Sequence, residues 1–135
     1  MSMMIVNNVG ITGVLAFKTQ VVTAASLDAE GVLPIDIDAM ASGADLLIDH
    51  GVVLHGIRLL SNGLPFMTDD DTTVLLMIKS VGACQLIHNS GSVSNSSEKF
   101  AVSSGNNVFV DSRRIQIFWS TGSGSRVWEV PDWSV

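Results

Sequence analysis

His50, His55 and His88 are the residues of this chain best suited to hold a metal ion or move a proton. A zinc pair needs two ligands on one side. On an uninterrupted strand His50 and His55 point to opposite faces, because the side-chain period is two. No cysteine or third histidine stands at a metal-ligand spacing from them. Asp36 and Asp38 alternate along one strand face, which on paper is a paired-carboxylate acid/base site. They lie too close together for most glycosidase geometries, and no partner acid is evident, so a solvated strand face is the better reading. The run "TDDD", with Asp69, Asp70 and Asp71, lacks the spaced ligands and terminal glutamate of a calcium loop and reads as a solvated turn. None of the many serines sits in a Gly-x-Ser-x-Gly elbow. The expectation is a chain with no catalytic, cofactor-binding or metal-ligating residue, not an enzyme.

Trp119, Trp128 and Trp133 cluster near the C-terminus. An exposed indole can stack on a sugar ring. Trp119 and Trp128, however, lie in apolar runs that pair with each other, which places both in the core. Trp133, in "PDWSV", is the freer of the three and suits either anchoring to a neighbour or covering the end of the domain. The single cysteine, Cys84, stands among apolar residues in "GACQLIH" and reads as a small buried hydrophobe.

These side chains need a scaffold, and the totals bound it. The 135 residues suit one domain of ordinary size. The chain is 47% hydrophobic and only 15% charged, a deficit of charge that suggests surface covered by other copies or another protein. Its net charge of −6 disfavours nucleic acid and anionic membrane as partners. No basic residue lies between Lys18 and Arg58, a stretch holding Asp28, Glu30, Asp36, Asp38, Asp45 and Asp49. No apolar run reaches membrane-spanning length, and the first residues lack a basic leader with a cleavage pattern. The expected site of synthesis is a reducing cytoplasm.

From Val32 onward the pattern is β throughout. "VLPIDID" alternates, "HGVVLHGIRLL" is rich in branched residues, and "TTVLLMIKS" is apolar on both faces. "CQLIHNS" is expected to pair with it across a turn at Gly82. "KFAVSS", "NNVFVD", "RRIQIFWST" and "RVWEV" follow, with "GSGS" turning the last hairpin. Strands every ten residues or so, punctuated by Gly, Asn and Ser, are the signature of an all-β sandwich or barrel. The segment "NSGSVSNSSEKFAVSSGNN" has linker composition, yet it carries an apolar strand and has strands on both sides. It reads as loop within one domain. Residues 1–31 have weaker β character and read as an N-terminal arm on a neighbouring subunit or as an edge strand, with 32–135 as the β-sandwich domain. "DAMASGAD" makes at most one helical turn.

From Thr72 to Val130 the order of elements resembles a module common in virion proteins of tailed bacteriophages. In that module a strand ends in a Gly turn (here Lys79 to Gly82) and leads to an L-x-H strand (Leu86 to His88) and a Ser/Asn-rich loop. A short "KF" strand follows (Lys99, Phe100), then an "SGN" turn (Gly105 to Asn107) and a final hairpin of the "SSRW" type (Ser125 to Trp128). The last motif reads "SRVW" here, one residue longer than the family pattern.

The resemblance implies an antiparallel, jelly-roll-like β-sandwich, usually a homotrimer, found in capsid decorations, head fibres or tail fibres. It implies no enzymatic activity. The expected function is a virion structural protein, a capsid decoration or cement protein bound to the major capsid protein or another virion protein. The alternative is a tail-fibre or receptor-binding tip whose loops meet a host surface glycan.

Overall fold

Alternation of apolar and polar residues sets the strands. In "RIQIFWS" the residues Ile115, Ile117 and Trp119 are buried while Gln116, Phe118 and Ser120 are half-buried on the other face. The computed structural model describes residues 18–39, 44–66, 73–120 and 126–134. The twelve described strands are β1 (Lys18–Val22), β2 (Val32–Asp36), β3 (Ala44–Ile48), β4 (Val53–Leu54), β5 (Gly56–Ser61), β6 (Leu64–Pro65), β7 (Val74–Ser80), β8 (Ala83–Leu86), β9 (Phe100–Val102), β10 (Val108–Asp111), β11 (Arg114–Ser120) and β12 (Val127–Val130). Among the described residues the helical pieces are three-residue 3-10 turns. The all-β expectation holds. Residues 40–43 of "DAMASGAD", Asp69–Asp71, the "GSGS" turn and residues 1–17 lie outside the described residues.

A six-stranded sheet has the order β1-β3-β7-β11-β12-β9, and two three-stranded sheets have the orders β10-β8-β4 and β2-β5-β6. Lys18–Val22, from the segment read as arm or edge strand, forms the edge strand β1 of the large sheet. One hydrophobic cluster joins all three sheets. It includes Leu46, Ile78 and Ile117 from the large sheet, Leu33 and Ile57 from β2 and β5, and Leu54, Leu86 and Val110 from the third. Trp119 and Trp128 face each other in register on β11 and β12, stacked with ring centroids 6.0 Å apart, and both are buried as expected.

The antiparallel expectation is corrected. Of the nine pairings between described strands, five are parallel: β1 with β3, β3 with β7, β2 with β5, β4 with β8, and β12 with β9. Strands of successive circuits run in the same direction up to β8, whereas β10 and β11 run antiparallel to β8 and β7. The partner of Ala44 is Leu76 and that of Val53 is Gln85, the same 32-residue offset on two different sheets. Between these ladders Gly51 N–H donates to Ala83 O, again 32 residues on. One circuit is thus laid on the next as a unit, which makes the stacked strands parallel without helical crossovers. A jelly roll needs antiparallel neighbours throughout, and these pairings do not trace one.

The expected β7–β8 hairpin is corrected for the same reason. β7 pairs with β3 and β11, whereas β8 pairs with β4 and β10. Val81 N–H donates to Ile48 O at 2.9 Å, continuing the β3 ladder to the end of β7. Val81–Gly82 is then a corner from one sheet to another. Ser80, buried in that corner, donates its hydroxyl to the Val110 carbonyl at 2.6 Å, lies against the Gly82 carbonyl and accepts from Ser112 N–H. β10 and β11 meet across a similar corner, where Ser112 takes a positive φ of 61°.

Close packing demands glycine at one strand start. A Cβ on Gly56 would run into the backbone carbonyl oxygen of Glu98, which cannot swing aside as a side chain could. Gly56→Ala is therefore expected to cost about 1–3 kcal/mol, the usual range for overpacking. Gly91→Ala, where a Cβ meets open space, should leave the urea midpoint unchanged. Equal midpoints for the two variants would show that the Gly56 contact is not tight.

Candidate interaction surfaces

The Ser/Asn-rich segment is fastened along its length. Its anchor is Glu98, 7% exposed, which accepts from Arg58 Nε at 2.8 Å and from Nη2 at 3.1 Å. A buried carboxylate is costly unless paired and hydrogen-bonded, and this bidentate pairing supplies both. Arg58 Nη2 also lies 3.1 Å from Asp28 Oδ2. Upstream in the loop, Ser94 donates its hydroxyl (2.9 Å) and its N–H (3.3 Å) to Glu30, and Asn95 caps the turn Ser96–Glu98 by accepting from Ser97 N–H. Val93 is buried at its centre. Ser90 is buried beside it, with Oγ 2.6 Å from His55 Nδ1.

The histidines have separate surroundings. His50 is exposed with its ring against Gly82, while His55 packs on Gly31 and holds Ser90. His88 Nδ1 accepts from Val102 N–H at 3.0 Å, which fixes its other nitrogen as the proton carrier in the neutral ring. That contact occupies a backbone donor of the edge strand β9. The Ser90–His55 pair is a serine–imidazole contact that the sequence did not bring forward. With Ser90 buried and its Oγ also accepting from Ser92 N–H, it serves as a loop anchor. Among the described residues no group of three or more His, Cys, Asp or Glu could hold a metal ion.

Asp36 and Asp38 do not act as a pair. β2 stops at Asp36, and Ile37–Ala39 makes a 3-10 turn in which Asp36 accepts from Asp38 N–H. Asp38 reaches the β5–β6 turn, accepting from Ser61 Oγ and from Asn62 N–H. Asn62 has a φ of 53°, so this carboxylate steadies a strained turn. Cys84 is 2% exposed, and burial pushes its thiol up to about 11, which leaves it an inert thiol at neutral pH.

Two outward faces remain. On the six-stranded sheet the face away from the core carries Leu47, Leu75, Met77 and Phe118, all half-buried, with Val21 63% exposed at its edge. Trp133, 69% exposed, lies 5.8 Å from the Phe118 ring. The Arg114–Asp45 ion pair (2.7 Å), Lys79, Gln116, Ser120 and Glu129 share this face. The second face belongs to the β10-β8-β4 sheet. It contains an open depression of about 300 Å³ lined by His50, Val52, Val53, Ala83, Gln85 and Phe109, among others. The comparisons with known proteins assign neither face: no protein-family model, curated protein or solved structure matches the chain.

Asp28 makes the loop anchor sensitive to acid. Burial pushes its carboxyl up, but N–H groups of Val32 and Glu30 and the Arg58 guanidinium together outweigh this and hold it below its ordinary 3.8. The native state therefore favours the carboxylate. The stability it contributes is complete above the unfolded-state value and is lost as pH falls through the native value. Between pH 7 and pH 3 the urea midpoint of the wild type should fall further than that of Asp28→Asn. Identical falls would remove Asp28 from the acid response. Arg58→Met, which leaves Glu98 buried and unpaired, is expected to cost about 2–4 kcal/mol by the same titration, the lower figure reflecting partial solvation of the arginine.

Proposed function

We propose that this chain is a structural protein of a tailed-phage virion, a capsid decoration or cement protein that binds the assembled head as a homotrimer. The observation that carries the reading is the outward face of the six-stranded sheet. A sheet face turned to water is normally polar, and alternation then gives one apolar and one polar side. β7 breaks that rule with Leu75 and Met77 outward; Phe118 of β11 stands level with Leu75, and Leu47 of β3 adds a further apolar residue level with Lys79. Such a face favours burial against other protein. The low charge content of 15% agrees with it. The resemblance of residues 72–130 to the phage module supplies the class of assembly.

In this reading the large sheet and the two smaller ones form the layers of a β-sandwich. The trimer buries the apolar outward face of the large sheet, and the major capsid protein receives the trimer. Binding to the assembled shell and not to free capsid subunits stabilises the shell by mass action. No step requires a cofactor or a catalytic residue.

One observation favours a second reading, a tail-fibre or receptor-binding tip. Trp133 stands exposed beside Phe118, a platform on which a sugar ring of a host glycan can stack. The two readings differ in copy number. Quantitative mass spectrometry of purified virions should give a ratio to the major capsid protein near parity. A few copies per particle, with sugar-dependent quenching of tryptophan fluorescence that Trp133→Ala abolishes, would replace the decoration reading by the tip. The isolated protein should have three times the 14.3 kDa chain mass by light scattering, and Met77→Asp should reduce it to one.

A further inference from the structure

We propose that the Asn62–Gly63 turn is a self-modification site, at which the asparagine side chain cyclises onto the next backbone nitrogen and is converted to aspartate and isoaspartate. The inference does not depend on the assembly proposed above. It starts from the hairpin. β5 and β6 pair Leu60 with Pro65 and Ser61 with Leu64, which leaves Asn62 and Gly63 as a two-residue loop. Both take a positive φ, 53° and 77°, as in the mirror-image turn for which Asn-Gly is the preferred pair. Both are exposed, and a Cβ at Gly63 would meet nothing within 4 Å. Among the described residues neither the Asn62 carboxamide nor the Gly63 N–H has a hydrogen-bond partner. An electrophilic carbon and the nitrogen that can attack it are thus adjacent, solvated and uncommitted. Gly63 has no side chain to hinder the approach.

The reaction needs only water. The Gly63 nitrogen gives its proton to a base in solution and bonds to Cγ of Asn62. The Cγ–Nδ2 bond breaks, and the amide nitrogen takes up a proton and leaves as ammonia. Water then opens the cyclic imide. Cleavage on the side-chain side gives aspartate. Cleavage on the main-chain side gives isoaspartate, whose backbone runs through Cβ and Cγ. The other described asparagines are less suited. Asn95 and Asn107 use their side-chain oxygens as acceptors, Asn89 precedes the buried Ser90, and Asn106 precedes Asn107, whose side chain hinders the approach.

Ring closure requires the Asn62–Gly63 peptide to rotate out of the tight turn, and Asp38 opposes that rotation. Its carboxylate accepts from Asn62 N–H at 2.9 Å and from Ser61 Oγ at 3.1 Å. Asp38 is therefore a positioning residue that slows the conversion. The isoaspartate product lengthens the main chain of a loop that fits its hairpin with two ordinary residues. It also adds a carboxylate to the segment that Asp38 holds. β6 leads directly into the core: Phe66 N–H donates to Leu59 O at 2.8 Å, and the Phe66 ring lies 6.2 Å from that of the buried Trp119. A change at an exposed turn thus reaches the interior.

Peptide mapping by mass spectrometry of the full-length protein, aged at pH 8, tests the proposal. Aspartate and isoaspartate should accumulate at position 62 before either is detected at Asn89, Asn95, Asn106 or Asn107. Asp38→Ala, which removes a charge-assisted hydrogen bond from the turn, should speed the conversion about tenfold. Tryptophan fluorescence matching wild type verifies that this variant keeps its core. The charge-shifted fraction of aged protein, rich in isoaspartate, should have a lower urea midpoint than fresh protein. Asn62→Asp, which has the charge on an unaltered backbone, should stay nearer to fresh protein. Position 62 reacting no sooner than the other asparagines, or an unchanged rate in folded Asp38→Ala, would overturn the proposal. So would equal midpoints of aged and fresh protein, or a midpoint of Asn62→Asp as low as that of the aged fraction.

Discussion

A single buried carboxylate organises much of this protein. Glu98 lies at the end of a segment whose composition gives it no means of folding alone, and the Arg58 guanidinium on β5 holds it in a bidentate grip. Once Glu98 is seated, the backbone on either side of it becomes a fixture for the core. The Ser97 carbonyl accepts from the Trp119 indole, and the Lys99 carbonyl accepts from Trp128 N–H. Trp128 in turn donates its indole N–H to Ile57 O, one residue before Arg58. The two largest core side chains and the ion pair thus close one ring of contacts between sheets. Gly56 sits where that ring is tightest, which is why no side chain is tolerated there.

The second constraint is the winding of the chain. Five of the nine described pairings are parallel, and residues paired at one level share a face. On the outward face of the large sheet Leu75 meets Phe118 across an antiparallel ladder, while Met77 lies between Asp45 and Gln116 and Leu47 beside Lys79. The proposed assembly role rests on the apolar residues of that face and needs no reactive group. His55, His88, Asp36 and Asp38, which first suggest chemistry, are committed to turns, edges and anchors.

Much of the fold was legible in the residues themselves. Period-two alternation and regular Gly, Asn and Ser punctuation announced the strands, and the paired apolar runs around Trp119 and Trp128 announced the hairpin that buries them. The same composition marked residues 89–107 as loop with a strand inside. These features are local, since side-chain period and turn chemistry are set within a few residues. What the chain could not disclose by itself was direction and partnership. A strand's alternation is the same whether its neighbour runs parallel or antiparallel, so the corner at Val81–Gly82 looked like a hairpin turn. The grip of Arg58 on Glu98 spans 40 residues, and neither side chain differs in sequence from an ordinary surface charge. Only the tertiary structure decided that, because burial turns a solvated ion into one that must find its counter-ion.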